Sequence, residues 1–177
     1  MTQEAKIMIG IGLFSLIILI TAVFLLGRNN PPSTQQTNTT IDTKLLVRED
    51  SNKLGTDSAK VVLVEFGDFQ CPSCAAVHPI VKQIVSEQKD VLFVFRNFPL
   101  PMHQNARKAA EAAEAALSQG KYWEMHSLIF ENQGEWSNSS DPTALFVSYA
   151  KKLGLEESIF AEALKNNAAA KKILGNA

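Results

Sequence analysis

Cysteine is scarce: Cys71 and Cys74 are the only two in 177 residues. That count excludes the disulfide framework that staples small secreted domains, so the pair needs a local explanation. Basic excess is missing too, with a formal net charge of -1, which removes the electrostatic footprint that nucleic acid requires. Internal repeats are absent, and the one biased tract, Ala109 to Ala116, is a run of strong helix formers. The length therefore predicts one globular unit with appendages.

The most conspicuous absence is of charge between Ile7 and Leu26. An α-helix needs about 20 apolar residues to cross the hydrocarbon core of a bilayer, and this stretch supplies them. Phe24, Leu25 and Leu26 run directly into Gly27 and Arg28 with no small-residue cleavage site, which predicts an uncleaved signal-anchor rather than a removable signal peptide. Lys6 and Arg28 flank the stretch, so charge bias barely decides orientation. A cysteine-poor domain behind a span fits export, giving a single-pass protein of the cell membrane with its soluble domain on the extracytoplasmic side. The expected organisation is residues 1–28 as cytoplasmic stub and anchor, 29–43 as a flexible linker rich in Pro, Ser, Thr, Gln and Asn, and 44–177 as the globular domain.

Within that domain, Leu45 to Val47 reads as a short edge strand and Gly55 as a turn. Val61 to Phe66 has the β-branched and aromatic composition of a strand buried on both faces, interrupted by Glu65. A helix follows, with Cys71, Pro72, Ser73 and Cys74 in its first turn and Val77, Ile80, Val81, Ile84 and Val85 at helical spacing. Val91 to Phe95 is a second strand, so the three elements predict a right-handed βαβ unit and an α/β fold. After the break at Pro99 to Pro101 the pattern is helical: Asn105 to Ser118, Lys121 to Glu131, a helix capped by Asp141 with Pro142 at its first position, and shorter stretches to Leu174.

Two cysteines three residues apart in a first helical turn have β-carbons about 5 to 6 Å apart, near enough to close into a disulfide with little backbone movement. Free N–H groups and the positive end of the helix dipole favour an anion at Cys71 and lower its pKa. Cys74, one turn in, is placed to resolve a mixed disulfide. Pro72 and Ser73 tune the pair: the first fixes φ and removes an N–H with no partner to lose, the second adds no positive charge. A desolvated Glu65 on the preceding strand has the chemistry to pass protons to and from Cys74, and a strand-end glutamate paired with a surface lysine is the plainer alternative.

The stretch EFGDFQCPSC, Pro79 five residues beyond the second cysteine, FRNFPLP from Phe95 to Pro101, and KYWEMHSLIFENQGEW from Lys121 to Trp136 together resemble the DsbA-like branch of thioredoxin-fold proteins. The resemblance covers about Leu54 to Ile173. It implies a thioredoxin-like α/β fold with a helical insertion, Cys71 as nucleophile, Cys74 as resolving cysteine and Glu65 as the buried acid. It also implies thiol:disulfide exchange, most naturally oxidation, with thiol-containing exported proteins, recharging by a quinone-linked membrane oxidase, and no cofactor. Family members end with a cis-proline loop, a strand hairpin and a final helix. Nothing in this sequence matches those elements, its last proline being Pro142. The expected sheet therefore lacks C-terminal strands and keeps an exposed edge.

Two rival readings belong to other classes. Cys71, Cys74 and His78 fall at i, i+3 and i+7 and could share a helix face as metal ligands, although a closed site needs a fourth and Pro79 is expected to kink the helix just beyond. A truncated, non-catalytic thioredoxin-like binding protein is the other. His126 reads as a hydrogen-bonded histidine in a packing surface, His103 as a local structural residue after Pro101, and Trp123, Phe130 and Trp136 as core or rim.

Overall fold

The computed structural model describes residues 3–28, 43–166, 169, 172 and 173. The chain divides into two units, Met1–Ile41 and Asp42–Ala177. The first contains helix α1 (Gln3–Arg28), whose described side chains over 14–25 are all exposed. Among the described residues no helix is long and apolar enough to cross a membrane. The expected span, Ile7 to Leu26, includes side chains outside those described, as does the expected linker up to residue 42.

The second unit opens with one helical turn, α2 (Thr43–Leu46), where the composition of Leu45 to Val47 predicts a strand. The Arg96 guanidinium donates to the Leu45 carbonyl, taking up an acceptor that a strand would have given to a ladder. Strand β1 (Asn52–Leu54) comes later, its end marked by Gly55 at φ 115. A side chain at Gly55 would meet the Val91 carbonyl as well as the left-handed backbone.

Strand β2 (Val61–Gly67), helix α3 (Pro72–Glu87) and strand β3 (Val91–Asn97) form the expected βαβ unit, with β2 and β3 parallel in a register that sets Glu65 against Phe95. The sheet order is β1-β3-β2, with β1 antiparallel to β3. Its central strand β3 is buried from Leu92 to Asn97. The edge strand β2 is not buried on both faces as its composition predicts: Val61, Val62 and Phe66 are exposed, because β3 lies on one side only. Helix α3 likewise buries less than its periodicity promises. Cys74, Ala75, His78, Val81 and Val85 pack inward, while Val77, Ile80 and Ile84 face out. The helix continues through Pro79 to Glu87.

Beyond β3 the described elements are all helical: α4 (Ala106–Leu117), α5 (Tyr122–Glu131), α6 (Gln133–Trp136), α7 (Thr143–Lys152) and α8 (Glu157–Lys165). Gly120 at φ 73 ends the first of these where the sequence places the stop. Pro142, not Asp141, takes the cap position of α7, and Asp141 just before it accepts through Oδ1 from the Thr143 amide at 3.0 Å and hydroxyl at 2.6 Å.

Helix α4 is the hub. Its alanines at 106, 109, 110, 112, 113, 115 and 116 are buried, so the helix former read from composition is also a close-packing surface for α5, α7 and α8. Trp136, Phe146, Tyr149 and Phe160 fill the far side of this core, and Phe69, Phe93 and Phe95 join it to the sheet. One charged group crosses the packing: Glu114 accepts from Asn52 at 2.6 Å, Asn97 at 2.9 Å and Lys172 at 2.8 Å. That node ties β1, β3, α4 and the Lys172 segment together, and desolvation of the acid is offset by three donors.

Candidate active site

The path from β2 into α3 makes the site. Gly67 ends the strand against the Phe95 ring, which a β-carbon there would overlap, so only glycine lets the chain turn so close to the sheet. Phe69 is then driven 99% into the core among Phe95, Phe130 and His126, and its burial leaves the next residues on the surface at a fixed height. Cys71 is the N-cap of α3, with extended backbone at φ -72 and ψ 122, and Pro72 follows at the first helical position. The expected first-turn placement is thus refined by one residue: Cys71 sits just outside the helix and Cys74 at its third position.

The two sulfurs are free thiols, both half-buried, and their environments drive them apart. The Cys74 and Ser73 amides, at the open end of the helix, stabilise a Cys71 thiolate and lower its pKa, with burial and the Asp68 charge opposing less strongly. The neutral thiol closes no cap hydrogen bond of its own, so this stabilisation belongs to the anion. Cys74 moves the other way. Burial raises its pKa first, and the charges of Cys71 and Glu65 add to that against the Asp68 amide. Ser73 contributes through its backbone, and Pro72 and Ser73 side chains are both exposed.

Glu65 lies on β2 with its pKa raised by burial, and its charge is felt at Cys74. Among the described residues no lysine pairs with it, so none of them forms the strand-end ion pair. His78, a candidate metal ligand by spacing, instead stacks on Phe130 at 5.1 Å and faces His126 at 5.3 Å. Among the described residues no group of three His, Cys, Asp or Glu could hold a metal ion. His126 is packed as expected but not hydrogen-bonded through Nε2, and burial pushes its pKa well below the ordinary value.

The supporting residues are less visible in sequence. Gln133 donates to the Phe69 and Cys71 carbonyls, and Gln70 donates to Ser137 and accepts from the Asn105 amide. Asp68 ties the turn to the loop after β3 and contacts His103. All of these fall inside or beside the segments that carry the family resemblance, which is the one signal that could have flagged them. A cleft of about 590 Å³ between α3, α5 and the sheet is lined by Val81, Val85, Phe93 and Trp123, and neither cysteine opens onto it.

A cysteine pair split in pKa at the head of a helix that follows the first parallel strand is the geometry of a dithiol redox centre in a thioredoxin-like fold. The thioredoxin family profile matches residues 48–177, and the chain belongs to that family, in its DsbA-like branch. The thiol-disulfide exchange protein alpha-DsbA2 of Wolbachia pipientis superposes with a TM-score of 0.66 at 24% identity, covering 76% of this chain and 70% of its own. That likeness shows the fold. A probable disulfide bond formation protein D of Bacillus cereus is 37% identical over 86 residues, 45% of this chain and 39% of that protein. A protein of Salinispora arenicola named Na(+)/H(+) antiporter NhaA 1 is 34% identical over 179 residues, 97% of this chain. The chain spans about a quarter of that relative's length, at 27%.

Proposed function

We propose that the protein is a membrane-anchored thiol:disulfide oxidoreductase working mainly as an oxidase of exported proteins, with Cys71 and Cys74 as its redox pair. The opposite pKa shifts of the two thiols carry this reading. A stabilised Cys71 thiolate favours the reduced form, which makes the disulfide a stronger oxidant and Cys71 a good leaving group. In the oxidising direction a substrate thiolate attacks Cys71 Sγ of the disulfide, the S–S bond to Cys74 breaks, and Cys74 leaves as a thiolate that takes a proton from Glu65. A second substrate thiolate then attacks the substrate sulfur of the mixed disulfide and releases the Cys71 thiolate. Two electrons pass from substrate to protein, and a membrane oxidase linked to quinone would remove them.

Anchoring rests on the charge-free sequence from Ile7 to Leu26, and a cysteine-poor domain behind it supports an extracytoplasmic redox site. The kinship with a disulfide bond formation protein supports the reaction kind. A redox titration against glutathione tests the direction: a potential near about -120 mV marks an oxidant, and one near about -270 mV a reductant.

A further inference from the structure

The turn that presents Cys71 is organised around one buried carboxylate. Asp68 has a side chain only 3% exposed. Its Oδ1 accepts from the Gln70 amide at 2.7 Å, its Oδ2 accepts from the Leu100 amide at 2.8 Å and lies 2.7 Å from His103 Nδ1, and its backbone carbonyl accepts from the Cys71 amide at 3.1 Å. Three donors converge on two oxygens, which calls for a group that only accepts. Asparagine would turn its own NH₂ toward at least one of them. An ionised carboxylate satisfies the turn, but its charge opposes the thiolate at Cys71. His103 is the side chain in contact with that carboxylate, through Nδ1, and it is 21% exposed.

We propose that Asp68 and His103 are a positioning pair for the redox site: Asp68 fixes the turn that carries Cys71, and His103 offsets the carboxylate so that its charge does not suppress the thiolate. The pair serves the thiol exchange proposed above and rests on that reading. It assigns His103 a role beyond the local structural one its place after Pro101 suggests.

The test uses the full chain, reduced and held in detergent, with iodoacetamide as probe and modification of Cys71 followed by mass spectrometry at neutral pH. H103Q should slow alkylation of Cys71 by about two- to five-fold, because the Asp68 charge is then less well balanced. The same substitution in a D68N background should change nothing. Should D68N fail to fold by circular dichroism, H103K decides: a lysine ammonium beside Asp68 restores the rate if charge is what reaches Cys71. No response to H103Q, an equal slowing with D68N, or no recovery with H103K overturns the proposal. A parent Cys71 no more reactive than a free thiol overturns the functional reading and this inference together, whereas a reactive parent that ignores H103Q overturns this inference alone.

Discussion

Gln133 Nε2 donates to the carbonyl of Cys71 at 3.0 Å, so the helical insertion holds the backbone of the reactive cysteine directly. The same nitrogen reaches the Phe69 carbonyl at 2.7 Å, bridging both ends of the active-site turn from α6. The insertion is therefore part of the redox site and not only a cover for it.

Gln133→Ala should cost about 1 to 3 kcal/mol, since it leaves two turn carbonyls without their donor. Denaturant unfolding measures that loss. Cys71 alkylation should slow as well, because the turn no longer holds the sulfur against the Ser73 and Cys74 amides. A variant as stable and as reactive as the parent would show that α6 does not position the turn.

Acid should destabilise the domain through two histidines. Burial lowers the native pKa of His78, and that of His126 still further, from an ordinary 6.5. A histidine whose native pKa is depressed binds more protons when unfolded, so stability is full above about 6.5 and declines as pH falls below it. Urea midpoints at neutral pH and near pH 5 should differ, and His126→Leu should shrink the difference, because its Nε2 has no protein partner to lose. An unchanged pH dependence in that variant contradicts the assignment.

Glu65 has the opposite linkage. Its native pKa is raised by burial, so its cost to stability sets in as pH rises above the unfolded carboxyl value and is complete above the native one. Glu65→Gln should accordingly be more stable than the parent at neutral pH, yet slower at exchange if the acid serves Cys74. Faster or unchanged turnover would remove Glu65 from the mechanism.

Much of this was legible in the residues themselves. The βαβ unit follows from the runs Val61 to Phe66 and Val91 to Phe95 flanking a helical period, and the stop at Gly120 from the need for a left-handed residue there. Cys71 and Cys74 are found by spacing and by their place after a strand. What escaped depends on tertiary neighbours. β1 has only three residues, too few for a period, and Leu45 to Val47 is drawn from strand to turn by an arginine far along the chain. Composition cannot tell an edge strand from a central one, so the exposure of Val61 and Val62 was hidden. Asp68, Gln133 and His103 matter through contacts across 35 to 64 positions, which no local pattern encodes.

The buried node at Glu114 should contribute strongly to the stability of the domain. Lys172→Ala leaves a carboxylate 3% exposed with two neutral amides, a loss of up to about 3 to 5 kcal/mol for a fully buried pair and less here because Lys172 is partly solvated. Glu114→Gln combined with Lys172→Met should recover part of it. Calorimetry on the single and double variants checks this, and strictly additive losses would mean the two charges are not coupled.

The central claim is that Cys71 attacks and Cys74 resolves, and trapping of thiol substrates by the two serine variants tests it most directly. Cys74→Ser keeps the N-cap thiolate and removes the internal route that expels substrate, so it should accumulate mixed disulfides that mass spectrometry places on Cys71. Cys71→Ser leaves a half-buried thiol whose pKa burial raises, and should trap almost nothing. Adducts on Cys74 in the Cys71→Ser variant, with none on Cys71 in the converse, would contradict the account.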